Sequence, residues 1–389
     1  MPNILLIWNR LGDYHRARSN ALAAAWDQGN VYTADLGNAD RLYSWAATME
    51  QDQHFRLSAH SVEHFDFFRR IIRFLRIVRS HRIRVLGVAG YGRPEYLAML
   101  LLGRLLGCRI ILFAESWYPG SKWFDAIKGF FLRLLVHSFF VSGSRAEQYF
   151  TGRLGIPATR IRTGYSVVDT HHFMGSRVHE FMSSSVDRVD GDITQDSRLS
   201  GITPSPLLPF SPSPHQPYLL CVARYSPEKN LPMLIGAFRQ SSLYGRWKLA
   251  LIGNGPQREE LIQLVDEDLD KSIFLTGWIG YDELPAWYHH ARAFILPSTF
   301  EPWGLAVNEA MASGLPVLVS STCGSAPDLV DDDNGWAFDP ESENELVGIL
   351  NIIGDLPVEW LREMGEHSRK KVNGLSVQEW SSKFIGLVK

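Results

Sequence analysis

Two carboxylates, Glu301 and Glu309, stand eight residues apart in the run FEPWGLAVNEAMASGLPVLVS over residues 300–320. Turn-forming residues fill positions 301–304, and helix formers follow from Leu305 to Met311. Gly314 then stops the helix before a short apolar strand at 316–319. A helix that opens on a glycine turn, here at Gly304 and Leu305, presents unpaired N–H groups and the positive end of its dipole. That combination suits a phosphate. Glu309, about one turn inside the helix, can accept hydrogen bonds from sugar hydroxyls. Glu301, outside it, can face whatever is attached beyond the phosphates. Phosphates flanked by two hydroxyl-reading carboxylates fit a nucleotide sugar.

A second pair bears on the same chemistry. Arg224 and Lys229, five residues apart, follow the apolar run YLLCV at 218–222. Cleavage of a sugar–phosphate bond leaves about one more negative charge on the departing diphosphate, so fixed positive charge there stabilises the transition state more than the bound donor. Arg can grip two oxygens at once, and Lys acts as a movable point charge. Taken on spacing alone, the same two residues also read as loop charges in water. Asp331, Asp332 and Asp333 form a carboxylate cluster of the kind that binds divalent cations. Asn334-Gly335 follows at once, however, and makes a solvated acidic turn the preferred reading. With cationic side chains available to the diphosphate, neither a metal nor any other cofactor is expected.

These residues need elements to hold them. Ile4–Trp8 reads as a strand, followed by a loop containing Gly12 and a helix from about Arg16 to Trp26. Buried strands follow at 83–89, 110–113, 139–142 and 161–163, with a helix at 94–107 between the first two of these. The stretch 176–217 is rich in Ser and Pro, offers few core residues and reads as a flexible linker or insertion. Strands resume at 218–222, 248–252, 273–275, 293–296 and 316–319, separated by helices. The expected organisation is a first Rossmann-like domain over 1–175, which would take the acceptor, and a second over 218–389, which would take the donor. The last helix, about 377–389, can return to the first domain. Each domain is α/β and doubly wound, and two such domains would bind ligand in a cleft at the carboxyl ends of their strands.

The run at 300–320 resembles the E-x7-E signature of the family-4 retaining glycosyltransferases, which have the GT-B fold. The resemblance continues in CVARYSPEKN at 221–230, LIGNGP at 251–256, FLTGW at 274–278 and FILPS at 294–298. It is close over residues 218–340 and weak over the first 170. It implies transfer of a sugar from a UDP- or GDP-sugar to an acceptor hydroxyl, in glycan, glycolipid or glycosylated-metabolite synthesis. Glu309 would bind the nucleotide ribose, and Glu301 would hold the transferred sugar and support its positive transition state. Arg224 and Lys229 would hold the diphosphate, with Gly253, Gly304, Leu305 and Trp303 around the donor and Trp278 and Ile279 by the base. Trp303 stands where the family has a phenylalanine-like residue.

In the first domain the glycine-rich loop of the family is reduced to Gly12, which leaves one point of close approach to a phosphate. Glu115 stands where a histidine is common. It would orient a sugar hydroxyl or the acceptor nucleophile, or else pair structurally with Arg93. His15, Arg16 and Arg93 are the acceptor-side candidates, and the acceptor itself is unknown. Two rival readings remain: a nucleotide-sugar-binding subunit without catalysis, and a GT-B nucleotide-sugar epimerase.

Composition agrees with a soluble two-domain chain: 389 residues, 45% hydrophobic and 21% charged. A net charge of −3 gives no reason to expect nucleic acid. Cys108, Cys221 and Cys323 are scattered and read as free buried thiols of a reducing cytoplasm. The short apolar run at 4–8 reads as a first strand and not a signal peptide. One segment bears on location. Residues 67–94 hold eight arginines (69, 70, 73, 76, 79, 82, 84 and 93) and no acid. At helical period Arg69, Arg70, Arg73, Arg76 and Arg79 share one face, opposite Phe67, Phe68, Ile71, Ile72, Leu75 and Val78. The preferred reading buries the apolar face on the sheet. The arginine face over 67–84 could still touch anionic headgroups at the inner membrane surface.

Overall fold

The computed structural model describes residues 2–39, 53–175 and 216–388. All but the last two residues of the linker expected at 176–217 lie outside these. The chain divides into two compact units. The first holds residues up to Asp169 together with those from Leu375, and the second runs from Thr170 to Gly374.

The first unit contains strands β1 (Asn3–Trp8), β2 (Val31–Asp35), β3 (His54–Arg56), β4 (Ile83–Ala89), β5 (Arg109–Ala114), β6 (Ser138–Val141) and β7 (Ile161–Thr163). Its helices are α1 (Asp13–Ala25), α2 (Phe67–Ser80), α3 (Pro94–Leu105), α4 (Lys122–Leu135) and α5 (Ser144–Gln148). All neighbouring strands are parallel, in the order β3-β2-β1-β4-β5-β6-β7. The second unit holds α6 (Thr170–Phe173), β8 (Tyr218–Val222), α7 (Leu231–Gln240), β9 (Lys248–Ile252), α8 (Arg258–Val265), β10 (Ile273–Gly277) and α9 (Leu284–His290). It continues with β11 (Ala293–Leu296), α10 (Leu305–Ala312), β12 (Val317–Ser320), α11 (Ala326–Leu329), β13 (Gly335–Phe338), α12 (Glu343–Asp355) and α13 (Val358–Val372). Its sheet is also parallel, ordered β10-β9-β8-β11-β12-β13. The final helix α14 (Val377–Val388) packs on α1 and belongs to the first unit.

Both sheets are buried by helices, which is why their strands read as near-continuous apolar runs. In the first unit Leu22 of α1 and Trp380 and Phe384 of α14 close one core cluster, while Phe74 of α2, Met99 of α3 and Leu132 of α4 close another. The strand order reverses direction between β1 and β4 in the first sheet and between β8 and β11 in the second. Loops at the carboxyl ends of those strands are where an open parallel sheet places a ligand.

Three expectations need correction. Helix α1 starts at Asp13, three residues earlier than read, because Gly12 caps it and its N–H donates to His15 Nδ1 at 3.1 Å. Strands β2, β3 and β13 are short and were not evident. On α2, Arg70 is not on the solvent face. It is fully buried, pairs with Glu95 and donates to the Leu36 carbonyl at 3.0 Å, whereas Phe68 and Ile72 are exposed.

Candidate active site

The second unit's site begins with two loops that leave adjacent strands at the reversal point. After β8 the chain forms a tight turn over Pro227–Lys229, and Asn230, at φ 55°, reverses it into α7. After β11 the chain passes through Glu301 to Gly304, which caps α10. The two loops are tied together, since the Thr299 N–H donates to the Glu228 carbonyl at 2.9 Å and the Lys229 ammonium forms an ion pair with Glu301 Oε2. Both members of that pair are mostly buried. Low dielectric strengthens such a pair and at the same time fixes where its positive charge sits.

Arg224, half-buried at the start of the same loop, makes no side-chain hydrogen bond among the described residues. Its charge is nonetheless felt. Burial alone would push the Glu228 carboxyl up, but hydrogen bonds from Ser226 and its own backbone, with the nearby Lys229 and Arg224 charges, hold it below its ordinary value. The loop therefore carries two cations at the carboxyl end of β8.

Gly304 is required for two separate reasons. Its φ of 94° suits glycine, and a Cβ there would lie 2.9 Å from Leu296 Cδ2 and 3.0 Å from Cys323 Sγ. The Cys323 thiol beneath it is pushed up to about 12, by burial first and then by the Glu301 charge, so it packs as a neutral group. Leu305 occupies the first position of α10. Trp303 lies behind this turn. Its ring is 2% exposed and its Nε1 donates to Asn308 Oδ1 at 2.9 Å, so it fills the interior.

Glu309 is buried one turn into α10, and its Oε2 accepts from the Tyr288 hydroxyl at 2.6 Å. Tyr288, itself fully buried on α9, is a partner of Glu309 that the sequence reading missed. At the ends of β9 and β10, Gly253 donates to the Gly277 carbonyl at 2.8 Å. A Cβ on Gly253 would meet the Ala223 carbonyl oxygen at 1.9 Å, so the glycine turn lies directly against the cationic loop. Beyond Gly277, Trp278 is largely exposed and Ile279 buried. Asp331, by contrast, pairs with Lys371 and accepts from the Asp333 N–H at 3.2 Å within a turn. No cluster of three metal-ligating side chains occurs among the described residues.

The remaining five candidates belong to the first unit. Gly12 and His15 form the capping contact of α1. Burial and the Arg18 charge push the His15 imidazole down to about 3, which keeps it neutral, with Nδ1 accepting the Gly12 N–H. Arg16 pairs with Asp13. Arg93 does not pair with Glu115, since it donates to the Val62 carbonyl at 2.7 Å and lies 3.5 Å from Glu95. Glu115, just past β5, accepts from the Ser166 hydroxyl at 2.8 Å. Of this group, Glu115 is the carboxylate set at a strand's carboxyl end, whereas Arg16 and Arg93 are engaged in contacts within the first unit.

Comparison with known proteins agrees with this geometry. The two parallel-sheet α/β units share their fold with solved glycosyltransferases of the GT-B type. Residues 210–371, which contain the site just described, match the family of glycosyl transferases group 1. The sulfoquinovosyl transferase of Arabidopsis thaliana is 33% identical over 144 residues, which is 36% of this chain and 27% of that protein. The match thus spans about a quarter of that relative's length. Sucrose-phosphate synthase from Thermosynechococcus elongatus superposes with a TM-score of 0.71 at 19% identity, covering 100% of this chain and 98% of that one. Anabaena HepE, in complex with UDP and glucose, gives 0.70 at 14% identity, covering 100% and 99%. Residues 210–371 are thus similar to glycosyltransferases.

Proposed function

We propose that this chain is a retaining glycosyltransferase that moves a sugar from a nucleoside-diphosphate sugar, UDP- or GDP-linked, to an acceptor hydroxyl. The observation that carries this reading is the Lys229–Glu301 ion pair at the strand-order reversal, beside the glycine cap of α10. Lys229 and Arg224 take the charge that develops on the leaving diphosphate. The amides at Gly304 and Leu305 add the partial positive charge of a helix start. Glu301, held by Lys229, receives hydroxyls of the transferred sugar and stabilises its oxocarbenium-like transition state. Glu309, oriented by Tyr288, receives the ribose hydroxyls. Because the fixed charges are protein cations, no metal ion enters the scheme. Glu115, oriented by Ser166, is the first unit's carboxylate for the acceptor.

Purified protein is incubated with UDP- and GDP-sugars, and release of free nucleoside diphosphate is followed with and without acceptor alcohols. Slow hydrolysis of one donor is expected. In Lys229→Ala or Arg224→Ala the turnover falls by about 10²-fold or more. A silent wild-type protein that still binds the nucleotide would favour a binding subunit, and wild-type turnover in the double variant would remove both residues from the chemistry.

A further inference from the structure

The first unit exposes an apolar layer that the transfer reaction does not use. Of the 19 exposed large hydrophobic side chains among the described residues, 12 fall between Phe65 and Leu134. Six lie on α4 alone: Trp123, Phe124, Ile127, Phe130, Phe131 and Leu134, each 36–68% exposed. Leu97, Leu101 and Leu105 on α3 and Phe68 and Ile72 on α2 continue it. Helices α2, α3 and α4 pack side by side on one face of the sheet, so their outward residues form one surface. Monomeric soluble proteins rarely leave so contiguous an apolar area in water.

Within the three helices the exposed charges are of one sign, although Glu63 and Asp66 stand just before α2. Helix α2 has no acid, and the lone acids of α3 and α4 are turned inward: Glu95 to Arg70 and Arg93, and Asp125 to Lys128 and Arg153. Arg69, Arg73, Arg76 and Arg79 on α2, with Lys122 and Arg133 on α4, are exposed. A second copy of the chain laid on this surface would bring arginines against arginines with no carboxylate on the three helices to answer them. Aromatic and aliphatic side chains edged by basic ones are the composition of a helix that lies in the plane of an anionic bilayer. No helix among the described residues is long and apolar enough to cross one.

We propose that the α2–α4 surface docks the protein on an anionic lipid membrane, with the apolar side chains of α3 and α4 inserted at headgroup depth and the α2 arginines on the phosphates. The arginine face expected from sequence is thus the rim of the site, and α4 is its centre. Docking needs neither donor nor transfer, so its failure leaves the reading of the second unit untouched.

The test is flotation of the full chain with phosphatidylcholine vesicles, with and without phosphatidylglycerol. It is run at about 0.1 M salt, where screening extends over about 10 Å, and again at about 1 M. Wild-type protein is expected to float with the anionic vesicles, less so at high salt, and to bind the neutral ones weakly. Replacing Trp123, Phe124 and Phe131 together with Ser lowers partitioning by at least about tenfold. Arg69→Gln with Arg73→Gln and Arg76→Gln removes most of the salt-sensitive part. All six positions are exposed, so unchanged melting temperature and UDP binding will show that the variants are folded. The proposal is overturned if wild-type protein stays unbound, if the serine variant floats like wild type, or if the serine substitutions instead abolish a dimer.

Discussion

Tyr288→Phe removes a single oxygen, and its effect follows from the geometry around Glu309. The hydroxyl lies 2.6 Å from Glu309 Oε2, and both residues are buried, so no water can replace the lost donor without rearrangement. Leaving one partner of a buried hydrogen bond unsatisfied costs about 1–3 kcal/mol, and the phenylalanine ring preserves the packing. For a unit of about 200 residues this lowers the melting temperature by about 3–8 °C. If the carboxylate is also the ribose acceptor, its looser orientation weakens UDP binding by about five- to tenfold, toward 1.4 kcal/mol. Differential scanning calorimetry and titration calorimetry with UDP read the two effects on the same samples. A double-mutant cycle with Glu309→Gln isolates the pair: Tyr288→Phe should add little once the carboxylate is gone. Wild-type stability and wild-type UDP affinity in Tyr288→Phe would refute both the energetic assignment and the orienting role. Lower stability with unchanged affinity would confine Tyr288 to the core and take Glu309 away from the ribose.

Why Tyr288 escaped the sequence while Glu309 did not is a matter of which constraints are local. Glu301, Gly304 and Glu309 lie within one turn-and-helix segment, so their relation is fixed by helical geometry and can be read from spacing. The Arg224–Lys229 loop is likewise legible as the end of an apolar run. That Lys229 meets Glu301, 72 residues away, follows from β8 and β11 being neighbours. That strand order is set by packing and crossover handedness, and no local pattern records it. Tyr288 stands on a third element, inside a helix whose first five residues are all buried, so nothing marks it. Arg70 fails for the opposite reason: a helical wheel assigns an arginine to water, but Glu95 on the neighbouring helix offers a buried partner. Helix α4 defeats periodicity altogether, because it is apolar on its exposed side as well as on the side that meets the sheet.

Three further outcomes are expected. Glu301→Ala should lower transfer while leaving UDP affinity intact or improved, since Lys229 loses its competing carboxylate, whereas Glu309→Ala should weaken UDP binding; equal loss of binding in both would end that division of roles. Transfer should persist in excess EDTA, and complete loss restored by manganese or magnesium would show that the diphosphate needs a metal here. The last concerns acid. Burial, then the Arg18 charge, lowers His15 from 6.5 to about 3, and burial, then Arg104, Arg109 and Arg160, lowers His137 from 6.5 to about 4. Both imidazoles stay neutral in the folded chain, where His137 Nδ1 accepts the Ile110 N–H at 2.9 Å. Below pH 6.5 the unfolded chain binds protons that the folded chain does not, so stability falls as pH falls and is level above that value. At pH 5 the loss is at most about 2 kcal/mol for each histidine, less for the part-buried His137. The loss begins above the range in which carboxylates such as Glu95 and Asp125, held below their ordinary values in the folded chain, start to take up protons. Melting temperatures between pH 8 and 5 should therefore drop below about pH 6.5, and His137→Gln, whose amide oxygen can still accept from Ile110, should shrink the drop. A flat profile from pH 7 to 5 would mean that neither ring is held neutral by the fold.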